Sequence, residues 1–195
     1  LTDEAGTSAV RTTTGRVLEA DQTVIATALG TVKGLKDLPL RPVYGDILRI
    51  QGPAGPAMLS RIVRGIVHRR NVYLVPRKDG SLVLGASVRE DGNPEVNVGA
   101  MHTLLDDARR LVPGVSDCTL NEVIARPRPA TADDRPLIGR LDPGLVLSTG
   151  YSRHGVLLSP LGSELTADLT ENNTPHPMLK DVDPQRFATQ HSTLA

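Results

Sequence analysis

Leu145-Val146-Leu147-Ser148-Thr149-Gly150-Tyr151-Ser152-Arg153-His154-Gly155-Val156-Leu157-Leu158-Ser159-Pro160 reads as three consecutive pieces. Leu145 to Thr149 is an apolar run of strand length. Gly150 to Gly155 is a turn with a glycine at each end, where backbone must approach something closely or take positive φ. Val156 to Leu169 is apolar-periodic, interrupted only by Pro160 near its first turn, and reads as a helix. Strand, loop and helix in this order aim backbone N–H groups at an anion. A tight strand-to-helix connection with a glycine for packing explains the same residues, and composition alone leaves both readings open.

Working outward, Cys118 to Ile124 alternates apolar and polar residues as a strand, with Cys118 packed in it, before the stiff Arg126-Pro127-Arg128-Pro129. Prolines on both sides make a well-aimed guanidinium. Arginine's planar fork meets a carboxylate with two parallel charge-assisted hydrogen bonds. The plain alternative is a surface arginine paired with Asp133 or Asp134. Ala100 to Leu111 places Leu104, Leu105, Ala108 and Leu111 on one helical face and is stopped by Pro113-Gly114. Four strand-like runs precede it, Val43 to Ile50, Met58 to Val67, Val72 to Pro76 and Ser81 to Ser87, separated by turn signals such as Lys78-Asp79-Gly80. They read as an antiparallel meander with the helix across one face. Alternation puts Tyr73, Val75 and Arg77 on one side. Tyr73 either points its phenol at a ligand or packs on the sheet with a wet hydroxyl.

Near the start, Val10 to Leu18 reads as strand, glycine turn and strand, and Thr23 to Ala28 as a short strand buried on both faces, suited to a parallel sheet. The chain begins with Leu1, and a natural terminus rarely opens in mid-sheet, so truncation or an unusual start codon is expected. Gly34 to Pro42 is the expected boundary between two regions. From Glu171 onward polar residues and proline dominate, and residues 171–195 are expected to form a disordered tail.

Among 195 residues, 22 Lys and Arg balance 22 Asp and Glu, which leaves no net field to draw the chain to nucleic acid. No apolar run of membrane-spanning length and no leader pattern occurs, so no membrane association and a cytoplasmic location are expected. The single Cys118 with scattered histidines makes neither an internal disulfide nor a metal site. No G-x-G-x-x-G and no G-x-x-x-x-G-K-[ST] is present, so the chain has no recognisable pyrophosphate cradle.

Taken in order, Arg41 to Leu48, Val72 to Gly80 with Leu82 to Ser87, Arg128 to Asp133 and Gly150 to Pro160 resemble the carboxy-terminal half of the FAD-dependent D-amino-acid oxidase family, and within it glycine oxidase of thiamine (thiazole) biosynthesis. The resemblance runs from about Val10 to Leu169. It implies an α+β fold, in which an antiparallel substrate-domain sheet with a packed helix is flanked at both ends by partial α/β elements of an FAD-binding domain. The implied divisions are 1–38 and 129–170 for the FAD side, 39–128 for the substrate side and 171–195 for the tail. The implied activity is FAD-dependent oxidative deamination of glycine or a similar small amine or D-amino acid by O2, giving imine or oxoacid, ammonia and hydrogen peroxide. Arg128 matches the arginine that grips the substrate carboxylate, Tyr73 the tyrosine lining the same pocket, and Arg153 a substrate-binding residue at the flavin edge. Gly150, Tyr151, Ser152, Arg153, His154, Gly155, Val156 and Leu157 match the segment that wraps the flavin, and no side chain is assigned to acid–base catalysis. A homo-oligomer is compatible with this pattern.

Two departures stand out. Ala125-Arg126-Pro127 brings a second arginine and a proline before Arg128. Ala26-Thr27-Ala28-Leu29 has Ala28 where the family commonly has glycine. The competing reading is a truncated, non-catalytic remnant of such an oxidase that does not bind FAD alone.

Overall fold

The structure, a computed structural model, describes residues 8–33, 35, 38–171 and 174–190. The chain divides into two compact units, residues 43–127 and residues 1–42 with 128–195. The expected boundary at Gly34 to Pro42 lies partly outside the described residues.

The first unit is a sheet with one helix on it. Its strands are β4 (Arg41–Gln51), β5 (Val63–Val67), β6 (Arg70–Pro76), β7 (Ser81–Gly85) and β8 (Thr119–Ala130), in the order β5-β6-β7-β4-β8. Period-two alternation builds the core: Leu48 and Ile50 of β4, Val72 and Leu74 of β6, and Leu82 and Leu84 of β7 are all buried and meet Leu104 and Ala108 of helix α1 (Val98–Leu111). Two details differ from a simple meander. β5, β6 and β7 form consecutive hairpins, but β4 pairs with β7 and not with its sequence neighbour β5. Residues 58–62 lie outside β5, with Met58 and Leu59 packed against the core.

The β5–β6 turn is His68-Arg69, both at positive φ (46° and 64°), as a two-residue hairpin that follows the sheet's right-handed twist requires. Sequence reading has no signal for it, because neither residue is Asn or Gly. At the β6–β7 turn the expected chemistry is present: Gly80 has φ 83°, and Asp79 accepts from the Ser81 amide at 3.0 Å and hydroxyl at 2.7 Å.

Helix α1 begins where the Asn97 side chain accepts from Ala100 N–H at 2.9 Å. It is held on the sheet by two devices. Leu111 packs where a Cβ on Gly65 would stand, and buried Asp107 accepts two hydrogen bonds from Arg70 of β6, at 2.7 and 2.8 Å. A second buried carboxylate, Asp46 of β4, accepts from Arg89, Ser87 and the Asn97 amide, and so fixes the segment between β7 and α1. Burial alone would raise its pKa, but the Arg89 and Ser87 hydrogen bonds outweigh this and hold it below the ordinary carboxylate value. Cys118 ends the 3-10 turn Pro113–Asp117 just ahead of β8, half-buried against the core, and is not in the strand where it was expected.

The second unit carries the hairpin β1 (Ser8–Arg11) with β2 (Val17–Ala20), and a three-stranded sheet of β3 (Thr23–Ile25), β10 (Leu145–Thr149) and β9 (Leu137–Asp142). β3 runs parallel to β10 and β9 antiparallel to it. β3 is not buried on both faces as expected: it is an edge strand, and Val24 is 41% exposed. The core is Ile25, Leu137, Leu145 and Leu147. Helix α2 (Gly155–Thr170) follows β10.

The expected disordered tail is corrected over its described part. Helix α3 (Leu179–Val182) and the 3-10 segment Pro184–Gln190 are formed, Pro184 lies over Gly139 of β9, and Phe187 packs with Val32, Leu35 and Leu40 on the core. Composition misled because one aromatic and one arginine do the anchoring. Among the described residues, no helix is long and apolar enough to cross a membrane.

Candidate functional site

At the carboxyl end of β10 the chain must reverse into α2 within six residues. Gly150 takes φ 75°, and a Cβ there would stand 3.1 Å from Thr131 Cγ2 and 3.3 Å from Leu40 Cδ2, so both backbone conformation and space demand glycine. Ser152 sits at φ 50°, held by its N–H to the Pro129 carbonyl at 2.9 Å and by its hydroxyl to Asp134 at 3.4 Å. The His154 amide closes the turn on the Tyr151 carbonyl at 2.9 Å.

The helix then starts without a side-chain cap, because His154 at the N-cap position accepts no amide hydrogen. No acidic residue lies in its first turn, and its ladder begins with Leu158 N–H to the His154 carbonyl at 2.9 Å. The first-turn amides therefore keep their donor capacity and the positive end of the helix dipole. Pro160 removes the donor that the Val156 carbonyl would have used, and the Ser159 hydroxyl supplies it at 3.0 Å.

Beside this turn lies an open cavity of about 540 Å³, within the range of small-molecule sites. It is bounded by Val24, Ala26 and Ala28 on one side, by Ser148 to Tyr151 at its end, and by Gly155, Ser159, Ser163 and Ala167 of α2. Thr149, which is 3% exposed, contributes to the lining, and its hydroxyl is buried without a hydrogen-bond partner among the described residues. An orphaned buried hydroxyl costs about 1–3 kcal/mol, and such groups occur where a ligand or ordered water completes the site.

The structure brings together Gly150 to Leu157 and the Arg128-Pro129 step, since Pro129 lines the cavity and accepts from Ser152. Arg128 is half-buried, whereas Arg126 is exposed and donates to the neighbouring Ala125 carbonyl at 3.0 Å. Arg153 is exposed and its Nε donates to His154 Nε2 at 3.4 Å, while Val156 and Leu157 are 93% and 77% exposed. The Tyr151 side chain turns back along α2 and bonds to Ser148. Tyr73 belongs to the other unit, on the face of β6 opposite to Val72 and Leu74, so its alternation is as expected. Among the described residues, no three His, Cys, Asp or Glu side chains gather to hold a metal ion.

Sequence reasoning missed Arg186, which takes Asp133 as its partner through Nε and Nη2, both at 3.0 Å. Arg186 above all holds the Asp133 carboxyl well below the usual carboxylate range, against burial, with the Arg135 amide and Thr131 hydroxyl adding to the effect. With the two residues 53 positions apart in sequence, no spacing rule signals this pair.

The chain is 34% identical over 187 residues to the bifunctional protein ThiO/ThiG of a Nostoc species, covering 95% of this chain and 28% of that protein. It is 29% identical over 180 residues to glycine oxidase of Bacillus licheniformis, covering 89% of this chain and 47% of the relative. The crystal structure of glycine oxidase from Geobacillus kaustophilus superposes with a TM-score of 0.77 at 28% identity, covering 94% of this chain and 50% of that one. The chain thus spans about half the length of these glycine oxidases and little more than a quarter of ThiO/ThiG. Residues 1–169 match the family described as FAD dependent oxidoreductase, DAO, and the chain belongs to that family.

Proposed function

We propose that this chain is part of a cytoplasmic FAD-dependent oxidase that deaminates glycine or a similar small amine or D-amino acid, giving the oxoacid, ammonia and hydrogen peroxide. The observation that supports it most is the pairing of the uncapped, acid-free start of α2 with the orphaned Thr149 hydroxyl at one cavity. Donor groups without acceptors beside a glycine-bounded turn suit a flat ring with an electron-rich edge, and so fit a flavin. Backbone from Gly150 to Leu157 is the part of the chain that would hold it. The chemistry FAD supplies when bound is removal of a hydride from the substrate C–H beside nitrogen and delivery of the electrons to O2.

The chain's own task is orientation and electrostatics. The first-turn amides of α2 would stabilise negative charge developing on a bound flavin. Arg128 grips the substrate carboxylate with its planar fork. Arg153 adds positive charge beside the turn, and Tyr73 is assigned to the substrate side only by its resemblance to the family's tyrosine.

A non-catalytic remnant is the second reading, and one observation favours it: Ala28 lines the cavity at φ 54°, a conformation that suits the glycine common in the family. Flavin absorbance and peroxide release separate the two. The purified chain titrated with FAD is expected to bind weakly, since it carries no G-x-G-x-x-G cradle, and to shift the visible flavin bands as the ring leaves water. An unchanged spectrum at millimolar FAD, together with no peroxide from glycine in a full-length protein carrying this chain, rejects the oxidase reading.

A further inference from the structure

We infer that Tyr151 is a positioning residue that braces the Gly150 to Gly155 turn against helix α2 through a notch at Gly162. Three contacts carry this. Tyr151 Oη lies 2.8 Å from Ser148 Oγ, Ser148 Oγ lies 3.0 Å from Thr166 Oγ1, and Thr166 donates to the Gly162 carbonyl at 2.6 Å. The phenol itself occupies the space that a Gly162 side chain would fill, with ring carbons 2.9 Å from an ideal Cβ and the hydroxyl nearer still. The last residue but one of β10, the turn and the third turn of α2 are therefore tied by one side chain.

The location matters because Ser152 holds a positive φ and the first helical residues after the turn are exposed. Gly150 and Ser152 have positive φ, and Val156 and Leu157 are exposed, so little other side-chain packing holds the start of α2. Tyr151 fixes where the first-turn amides point. It acts through its grip on the helix and not by touching a ligand with its ring. The brace stands on geometry alone. Its consequence for a flavin rests on the function proposed above.

The test is a double-mutant cycle read by denaturation and by amide hydrogen exchange on the whole chain without flavin. Glycine inside a helix is unfavourable, so Gly162→Ala would ordinarily raise the folded-to-unfolded ratio by about fivefold. Here it is expected to lower that ratio, because the Cβ evicts the phenol. In a Tyr151→Ala background the same substitution is expected to raise it. Tyr151→Ala is expected to speed exchange of the amides from Gly150 to Leu158 at least tenfold more than those of β9 and β10. Tyr151→Phe, which keeps the ring and loses the hydroxyl, should give a rise of roughly fivefold, the scale of one ordinary hydrogen bond. A stabilising Gly162→Ala in the unmodified chain overturns the proposal, as does exchange that rises equally in the turn and in the sheet. Because no flavin is present, failure here leaves the oxidase reading intact, and failure of flavin binding leaves the brace intact.

Discussion

Tyr73 of β6 stands directly opposite Gly85 of β7, and its phenol covers the face of Gly85 where a side chain would project. A Cβ on Gly85 would stand 2.9 Å from Tyr73 Cε2 and closer to the end of the ring. The pair sits on the sheet face away from α1, with Val75 and Val83 as the next pair on that face. Glycine at 85 is thus a condition for where the Tyr73 ring lies.

Gly85→Ala is expected to cost about 1–3 kcal/mol, the usual range for overpacking, because Tyr73 must leave its rotamer. In a Tyr73→Ala background the cost should fall below about 0.5 kcal/mol. Urea denaturation of the four proteins measures the coupling. Additive losses would show that Gly85 is needed for its backbone and not for the ring above it.

Ala28 adopts φ 54°, and a residue with a Cβ pays roughly 1–2 kcal/mol in that region. Glycine removes the strain but loosens the unfolded chain by about 0.4–1 kcal/mol. Ala28→Gly is therefore expected to stabilise the chain by about 0.5–1 kcal/mol, visible as a higher melting temperature. A loss of stability would mean that Ala28 does not hold this conformation in solution.

How far the sequence could be read follows from the range of the interactions involved. The turn at Lys78-Asp79-Gly80, helix α1 with its proline stop, and the strand-turn-helix around Gly150 rest on local chemistry and were legible. The β4–β7 pairing was not, because register between strands 30 residues apart depends on which faces bury together. The same holds for Arg70 with Asp107, Arg89 with Asp46 and Arg186 with Asp133. Each is a buried or half-buried charge pair between distant segments, and in the sequence each member looks like any surface charge. At the site, the glycines and the turn were readable, whereas the orphaned Thr149 hydroxyl and the inward turn of Tyr151 appear only once α2 is packed on β10.

The Asp133–Arg186 pair predicts a pH signature. Arg186 holds the folded carboxyl well below the unfolded value of 3.8, so the folded state binds fewer protons there than the unfolded state. Its stabilisation is complete above about pH 5, and it is lost as pH falls through 3.8 toward the lower folded value. With Arg186 14% and Asp133 32% exposed, Asp133→Asn is expected to cost about 1–2 kcal/mol at pH 7. The gap between the two proteins should narrow steadily below pH 4. A gap that is constant from pH 7 to 3 would assign the loss to the Thr131 and Arg135 hydrogen bonds that Asp133 also accepts.

The last prediction concerns Arg128 in a full-length, FAD-loaded protein carrying this chain. Arg128 is half-buried one residue before the cavity-lining Pro129, and Arg126 lies two residues away, exposed, with its guanidinium on its own neighbour's carbonyl. If Arg128 pairs with the substrate carboxylate, truncation to Ala leaves a buried charge unpaired at a cost of about 2–5 kcal/mol. At about 1.4 kcal/mol per tenfold, kcat/KM for glycine falls by roughly one and a half to three and a half orders of magnitude. Lys at 128 should recover little, because an ammonium is a point charge and not a two-pronged fork. Arg126→Ala should leave kcat/KM within about threefold, as expected where no buried partner is stranded. Loss of activity in Arg126→Ala with Arg128→Ala intact would shift the carboxylate site by two positions. If neither change affects kcat/KM while both lower the melting temperature, the arginines serve the fold, and the carboxylate must be held by another group.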